Sequence, residues 1–283
     1  MNTRNRSLTE INLAVFLFGL SGLFAKLISL PAVIIVFGRV FFSSVFLLII
    51  MLYLKKDLKL KQKKHYFYFL LMGVILAIHW STFFKSIQVS TVSIGLLSFS
   101  TFPVFVTFLE PYFFKEKIKL SDIIVAIITF FGIVLIIPKF EPTNNLTQGV
   151  LWGVASGFTY AILSILNRKC VKEYSSTVIA FYEQSITTIV LIPFLFFEKP
   201  APQPKDVLFL ILLGIVFTGI SHSLFINGLK NIKTQTASII SSLEPFYGIV
   251  FAAFILREIP TLREILGGII ILNTVFYSTI KSK

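Results

Sequence analysis

Charge is what this sequence has least of. Asp, Glu, Lys and Arg together make up 14% of its 283 residues, where ordinary soluble domains carry about 25%. Cysteine occurs once, at Cys170, so no internal disulfide can form. No ligand cluster surrounds that thiol, and it reads as a small interior apolar residue. There is no metal-ligand spacing, no phosphate-binding glycine loop and no nucleophile elbow. Neither a metal nor a cofactor is expected, and an enzyme is a poor reading. An ATPase motif is missing too, so any driving force must be a gradient or an exchange. Signal-peptide features are also lacking. Arg4 and Arg6 precede an apolar run over 8–30 that is longer than a signal core and has no Ala-x-Ala site, so it is expected to stay attached as a first membrane helix.

What the chain does have is apolar mass. Hydrophobic types make up 55% of it, 32 residues are Phe, and the mean hydropathy is +0.87. A soluble core of this size could not hide that many rings. The formal net charge of +13 would suggest nucleic acid in a soluble protein. Here the basic residues fall between apolar runs, so membrane topology accounts for them and no nucleic-acid partner is expected.

A hydrocarbon core about 30 Å thick takes roughly 20 helical residues to cross. Ten segments reach that length: 8–30, 32–54, 66–87, 91–114, 120–138, 147–170, 176–197, 207–229, 233–256 and 261–281. The links between them are very short, which makes neighbours antiparallel hairpins and leaves no room for a soluble domain. The predicted fold is therefore an all-α membrane protein of ten transmembrane helices. With the N-terminus placed inside, 18 basic residues fall in inner connections and five in outer ones. The inner set includes Arg4, Arg6, six lysines between 55 and 64, Lys115, Lys117, Lys119, Arg168, Lys169, Lys172, Lys230 and Lys233. That bias puts the chain in the cell membrane with both termini cytoplasmic. The lysines between 55 and 64 read as a solvated anchor, or as a site for anionic lipid.

The two halves repeat. Aligning Pro103 with Pro245 sets Phe102-Pro103 against Glu244-Pro245 and Lys115-Glu116 against Arg257-Glu258, with both Pro-to-Glu spacings equal to 13 residues. One inserted residue upstream brings His79 onto His222. Helices 1–5, over 8–138, thus repeat as helices 6–10, over 147–281. Because five is odd, the halves enter the membrane from opposite sides. Two inverted five-helix repeats are a usual scaffold of alternating-access carriers.

On these residues the sequence resembles the EamA family of the drug/metabolite transporter superfamily, over nearly the whole chain. The run from Ser238 to Glu258, SIISSLEPFYGIVFAAFILRE, carries the likeness best. The run from Ser93 to Glu116 matches less closely. It keeps Pro103 and Glu116, has Phe102 where a Glu could sit, and carries an out-of-register Glu110-Pro111. Lys26 and Arg39 also resemble family positions. The resemblance implies ten helices, as two inverted five-helix repeats, around a central cavity, and small-molecule transport, often export, without naming a substrate.

Ionisable side chains inside a span are functional candidates by default. Lys26, Arg39, His79 and Lys85 fall in the outer halves of their helices with no acid assigned beside them. They form either a cationic vestibule or, for Lys26 and Lys85, side chains that reach the outer interface. Arg39 is deeper: it binds an anion or bonds to helix-end carbonyls. His79 has His222 as repeat mate and Trp80 beside it, and is a site residue or a packed histidine. Glu183, Gln184 and His222 fall in the inner halves, where Glu183 holds a proton, a cation or a neighbouring helix. Glu110 reads as an interfacial anchor. Glu244 lies near the midplane before Pro245, which removes a backbone donor and breaks the helix. A carboxylate there suits proton coupling, or simply caps the kink. Tyr160, Trp80 and Trp152 could stack on a substrate. Gly149, Gly153 and Gly157 form consecutive GxxxG spacings suited to close helix packing or to sliding.

Together Arg39 and Glu244 suit a zwitterion such as an amino acid, the guanidinium taking a carboxylate and the carboxylate an amine. The substrate-binding candidates are Arg39, His79, Trp80, Tyr160, Glu183, Gln184, His222 and Glu244, with helix breaks at Pro103 and Pro245. The predicted function is secondary transport, in the direction of export, of small polar metabolites such as amino acids by alternating access, with Glu244 as the candidate for proton coupling, by a monomer or weak homodimer in the bilayer. The competing classes are a channel, which favours polar faces along several helices, and a scaffold or intramembrane enzyme, which needs paired catalytic groups at one depth. The topology is checked by cysteine substitution and membrane-impermeant labelling. Position 145 should label from outside and position 62 only from inside; labelling of both from one side contradicts the assignment.

Overall fold

The structure, a computed structural model, describes residues 3–114, 120–137, 141 and 143–281. Among the described residues all regular structure is helical, and ten rods follow one another. These are α1 (Thr3–Leu27), α2 (Ala32–Tyr53), α3 (Lys63–Val89), α4 (Val92–Phe99 and Phe102–Phe114), α5 (Leu120–Ile136), α6 (Asn145–Cys170), α7 (Ser176–Glu198), α8 (Pro204–Gly228), α9 (Thr234–Ser241 and Glu244–Ile255) and α10 (Leu262–Lys281). Seven of them, α1 to α4 and α6 to α8, are long and apolar enough to span a membrane on their own. Large apolar side chains such as Ile49, Leu52, Phe130, Phe196 and Phe254 point outward. In water such a surface would drive association; against lipid tails it is at equilibrium. The chain is a multi-pass membrane protein. Several helices begin or end beyond the apolar runs, since backbone hydrogen bonding does not stop where hydropathy does. α1 starts at Thr3, stapled by an Arg6–Glu10 pair at 3.0 Å.

Four of the rods are interrupted. α4 breaks at Ser100–Thr101 and α9 at Ser242–Leu243, each just before its Phe102-Pro103 or Glu244-Pro245 pair. Proline supplies no N–H and is tolerated in a first helical turn, so each proline opens a second half-helix. Hydroxyls reinforce the stop: Ser100 donates to the Leu96 carbonyl at 2.9 Å and Ser241 to the Ala237 carbonyl at 3.1 Å. α1 turns at Gly22–Leu23 before a last short piece, Phe24–Leu27. In α8 the break is subtler, a widened π turn over Ile215–Ile220. The Lys115-Glu116 half of the internal alignment lies outside the described residues.

Small residues set how closely the rods approach. Gly19 of α1 and Gly248 of α9 face each other backbone to backbone. A Cβ on Gly19 would lie 2.8 Å from the Glu244 carbonyl, and one on Gly248 would lie 2.8 Å from the Gly19 carbonyl. The glycine ladder of α6 packs on α3 and α4, where a Cβ on Gly153 would sit 2.6 Å from Ser98 Cβ. Overpacking of this kind costs about 1–3 kcal/mol. Gly153→Leu is therefore expected to lower the thermal midpoint and the yield of monodisperse protein by size-exclusion chromatography. A midpoint equal to that of the parent protein would show that α6 does not rest on α3 and α4 as described.

Candidate functional site

The interrupted helices converge on one internal cleft with about 340 Å³ of empty volume, its opening included. Phe18 and Ser21 of α1, Arg39 of α2, His79, Trp80 and Phe83 of α3, Phe99 of α4, Tyr160 of α6, His222 of α8 and Glu244 of α9 line it. Both repeats thus contribute walls.

Arg39 is the largest fully buried side chain, 1% exposed. Its Nε donates to Thr218 Oγ1 at 2.9 Å and an Nη to the Phe217 carbonyl at 3.4 Å. Both acceptors belong to the π turn of α8. Thr218 in turn donates to the Leu213 carbonyl, five residues back, at 2.7 Å. The widened turn therefore frees acceptors for the guanidinium, a common placement for such bulges. The guanidinium carbon lies 4.1 Å from the Trp80 ring centroid and 5.1 Å from that of Phe84, within cation–π range. The other Nη is buried and has no hydrogen-bond partner among the described residues.

Glu244 is 4% exposed and opens the second half-helix of α9, where the helix dipole favours a carboxylate. Among the described residues its side chain makes no hydrogen bond, and it shares the cleft with Arg39. Its repeat mate Phe102 is fully buried and packs its ring 5.1 Å from those of Phe99 and Tyr160. The pseudo-symmetric positions thus give an acid on one side and an aromatic wall on the other.

His79 is clamped by Ser156 of α6. Its Nδ1 lies 2.8 Å from Ser156 Oγ and 3.1 Å from the Ser156 carbonyl, while Ser156 Oγ lies 3.1 Å from the His79 carbonyl. The Ser156 carbonyl can only accept and the hydroxyl spends its proton on His79 O, which assigns the ring proton to Nδ1. Tyr160 stacks on this imidazole at 4.7 Å. On the far wall His222 Nε2 lies 2.7 Å from Glu183 Oε2, with both residues at most 1% exposed. The Trp80 ring centroid lies 5.5 Å from that of His222.

Six of the eight candidates, Arg39, His79, Trp80, Tyr160, His222 and Glu244, line the cleft. Glu183 stands directly behind His222. Gln184 is fully buried but away from the cleft. His79 and His222, expected in the outer and inner halves of their helices, both lie against Trp80. Lys26 does have an acid: its Nζ lies 3.9 Å from Glu258 and donates to the Ser90 carbonyl at 2.8 Å. Glu258 also accepts from the Val92 amide at 2.9 Å, which ties α4 to the end of α9. Lys85 and Trp152 line a separate groove on the outer surface, and Glu110 pairs with Arg168. Sequence reasoning missed Ser156, Thr218, Phe83 and Phe99. Nothing in composition marks one Ser, Thr or Phe among so many.

With this geometry in hand, similarity to known proteins becomes informative. The model of the EamA-like transporter family matches residues 10–137 and again 147–280. An uncharacterized transporter of Bacillus subtilis is 28% identical over 274 residues, 95% of this chain and 88% of that one. An S-adenosylmethionine uptake transporter of Rickettsia conorii is 25% identical over 244 residues, 86% and 81% of the two chains. A solved crystal structure superposes with a TM-score of 0.74 at 15% identity, covering 100% of this chain and 97% of that one, a likeness of fold alone. Two family matches, one per half, fall on a ten-helix fold whose broken helices meet at one cleft: the chain belongs to the EamA-like transporter family.

Proposed function

We propose that the chain is a secondary transporter that moves a small zwitterionic metabolite, of the amino-acid type, across the cell membrane by alternating access. The observation that carries this reading is the unpartnered Nη of buried Arg39 in a cleft shared with the unbonded carboxylate of Glu244. A buried donor without a partner costs about 1–3 kcal/mol, more when charged. A substrate carboxylate removes that cost through a charge-assisted bond, and Glu244 meets the amine. Aromatic rings of Trp80, Phe83, Phe99 and Tyr160 give the side chain an apolar wall. The named substrate of the Rickettsia relative, S-adenosylmethionine, itself carries an amino-acid head group, which agrees with a site built for one. The paired breaks in α4 and α9 supply hinges for the inverted halves to rock about the site. With no ATPase motif in the sequence, net flux follows the gradients, and both termini are assigned to the cytoplasm.

Reconstitution in liposomes with a metabolite panel, with and without a pH gradient, tests this directly. Zwitterionic amino acids are expected to accumulate. Arg39→Lys keeps the charge but loses the planar fork, and is expected to weaken carboxylate uptake roughly tenfold or more. Glu244→Gln is expected to weaken amine-bearing substrates selectively. If wild-type protein moves only permanent cations, or Arg39→Lys transports carboxylates normally, the zwitterion reading fails and Arg39 is structural.

A further inference from the structure

The ionisable groups around the cleft do not match in number. Arg39 is one cationic group; Glu183 and Glu244 are two acidic ones. With all three ionised and both imidazoles neutral, the buried set would carry one negative charge in excess. A zwitterionic substrate adds none. An uncompensated charge in a low-dielectric interior is costly, so a single proton restores balance. Two places could hold it: Glu244, or the pair formed by Glu183 and His222.

The geometry points to the pair, and we infer that Glu183 and His222 form the coupling-proton site of the transporter, separate from the substrate-binding pair Arg39 and Glu244. Three observations carry this. First, His222 Nε2 and Glu183 Oε2 already stand 2.7 Å apart with the residues 1% and 0% exposed, so an added proton meets a base and its counter-charge in one place. Second, the pair is under-used as structure. Glu183 Oε1 and His222 Nδ1 are both buried without a hydrogen-bond partner among the described residues. A purely structural pair would satisfy such atoms. Third, the pair has a door. His222 lines the cleft while Glu183 lies behind it, so a hydronium arriving from the cleft side meets the imidazole first, gives its proton to Nδ1, the ring nitrogen that Glu183 does not engage, and is left as water. The imidazolium is then balanced by the Glu183 carboxylate, and release runs the same steps backward.

The surroundings leave room for one such proton. The groups facing the pair are Arg39 from α2, His79 from α3, Tyr160 and Cys170 from α6 and Glu244 from α9. Of these only Arg39 is a fixed cation, and it is committed to the π turn of α8, to Trp80 and to the cleft. α1 presents Glu10, which is bonded to Asn227 at 2.7 Å. On α7 and α8 themselves, Tyr182 donates to the Leu58 carbonyl, while Glu198, Lys205 and Asp206 sit at helix ends. No fixed cation therefore takes the place of the proton beside Glu183 among the described residues.

The inference rests on the transporter reading but not on the identity of the substrate, and its test uses none. Infrared difference spectra are recorded on purified full-length protein as the pH is lowered, with the proton as the only ligand. Wild-type protein labelled with ¹³C-histidine is included, its three histidines giving a ring signature free of carboxyl overlap. The expected result is an acid-induced imidazole signal that is lost in His222→Gln, and a carboxyl component that is lost in Glu183→Gln. Both are expected to persist in Glu244→Gln. If Glu183→Gln does not purify as a monodisperse species, the His222→Gln variant and the labelled wild type decide the matter. The inference is overturned if the signal survives in His222→Gln, if it vanishes in Glu244→Gln, or if the wild type takes up no proton at these groups. Failure of amino acids to accumulate in liposomes would sink the zwitterion reading while leaving this result intact.

Discussion

A guanidinium held away from water is the constraint around which the rest of the structure is arranged. Arg39 sits at 1% exposure within a span of almost unbroken apolar residues. Stranding it there would cost several kcal/mol. The fold answers with a π turn in α8 that offers Thr218 and the Phe217 carbonyl, and with the face of Trp80. It answers incompletely, since one Nη has no partner. That remaining Nη is what the proposed substrate carboxylate would meet. Glu244, placed at a half-helix start by Pro245, supplies the opposite charge across the same cleft.

The inverted repeat explains where these parts stand, and its imperfections explain what they do. Both halves break a helix before a proline at matched positions. The second half puts a carboxylate at the break and the first half puts Phe102 there, buried against Phe99 and Tyr160. His79 and His222 align as repeat mates yet meet different partners. Ser156 fixes the tautomer of His79, while Glu183 Oε2 lies 2.7 Å from His222 Nε2. A symmetric scaffold thus carries an asymmetric cleft with a charged wall and an aromatic wall, the arrangement on which the proposed zwitterion site rests.

Much of the fold was legible because the bilayer is a severe solvent. Runs of about 20 apolar residues, short connections and basic residues on one side leave few alternatives to ten antiparallel helices. The two proline breaks were visible because each lies inside an apolar run, where nothing else would place a proline. Six of the eight candidate residues were legible for the related reason that an ionisable or large polar ring inside a span is rare enough to notice. Proximity across helices was not legible. Counting residues from helix ends put His79 and His222 in different halves of the span, and nothing in hydropathy says that both rings lie against Trp80. The Glu258 partner of Lys26 was hidden for a similar reason, since it sits in a connection that folds back over the start of α4. Thr218 and Ser156 carry no signal of their own, because what makes them matter is a π turn and a helix crossing that only the packed structure shows.

The central claim is that one cleft recognises both charged ends of a small zwitterion. The most direct measurement is ligand-dependent thermal stabilisation of the purified protein by an amino-acid panel, set beside the same compounds with the carboxylate amidated or the amine acetylated. The account predicts stabilisation by the free amino acid and its loss when either end is capped. Equal stabilisation by the capped and free compounds would contradict it.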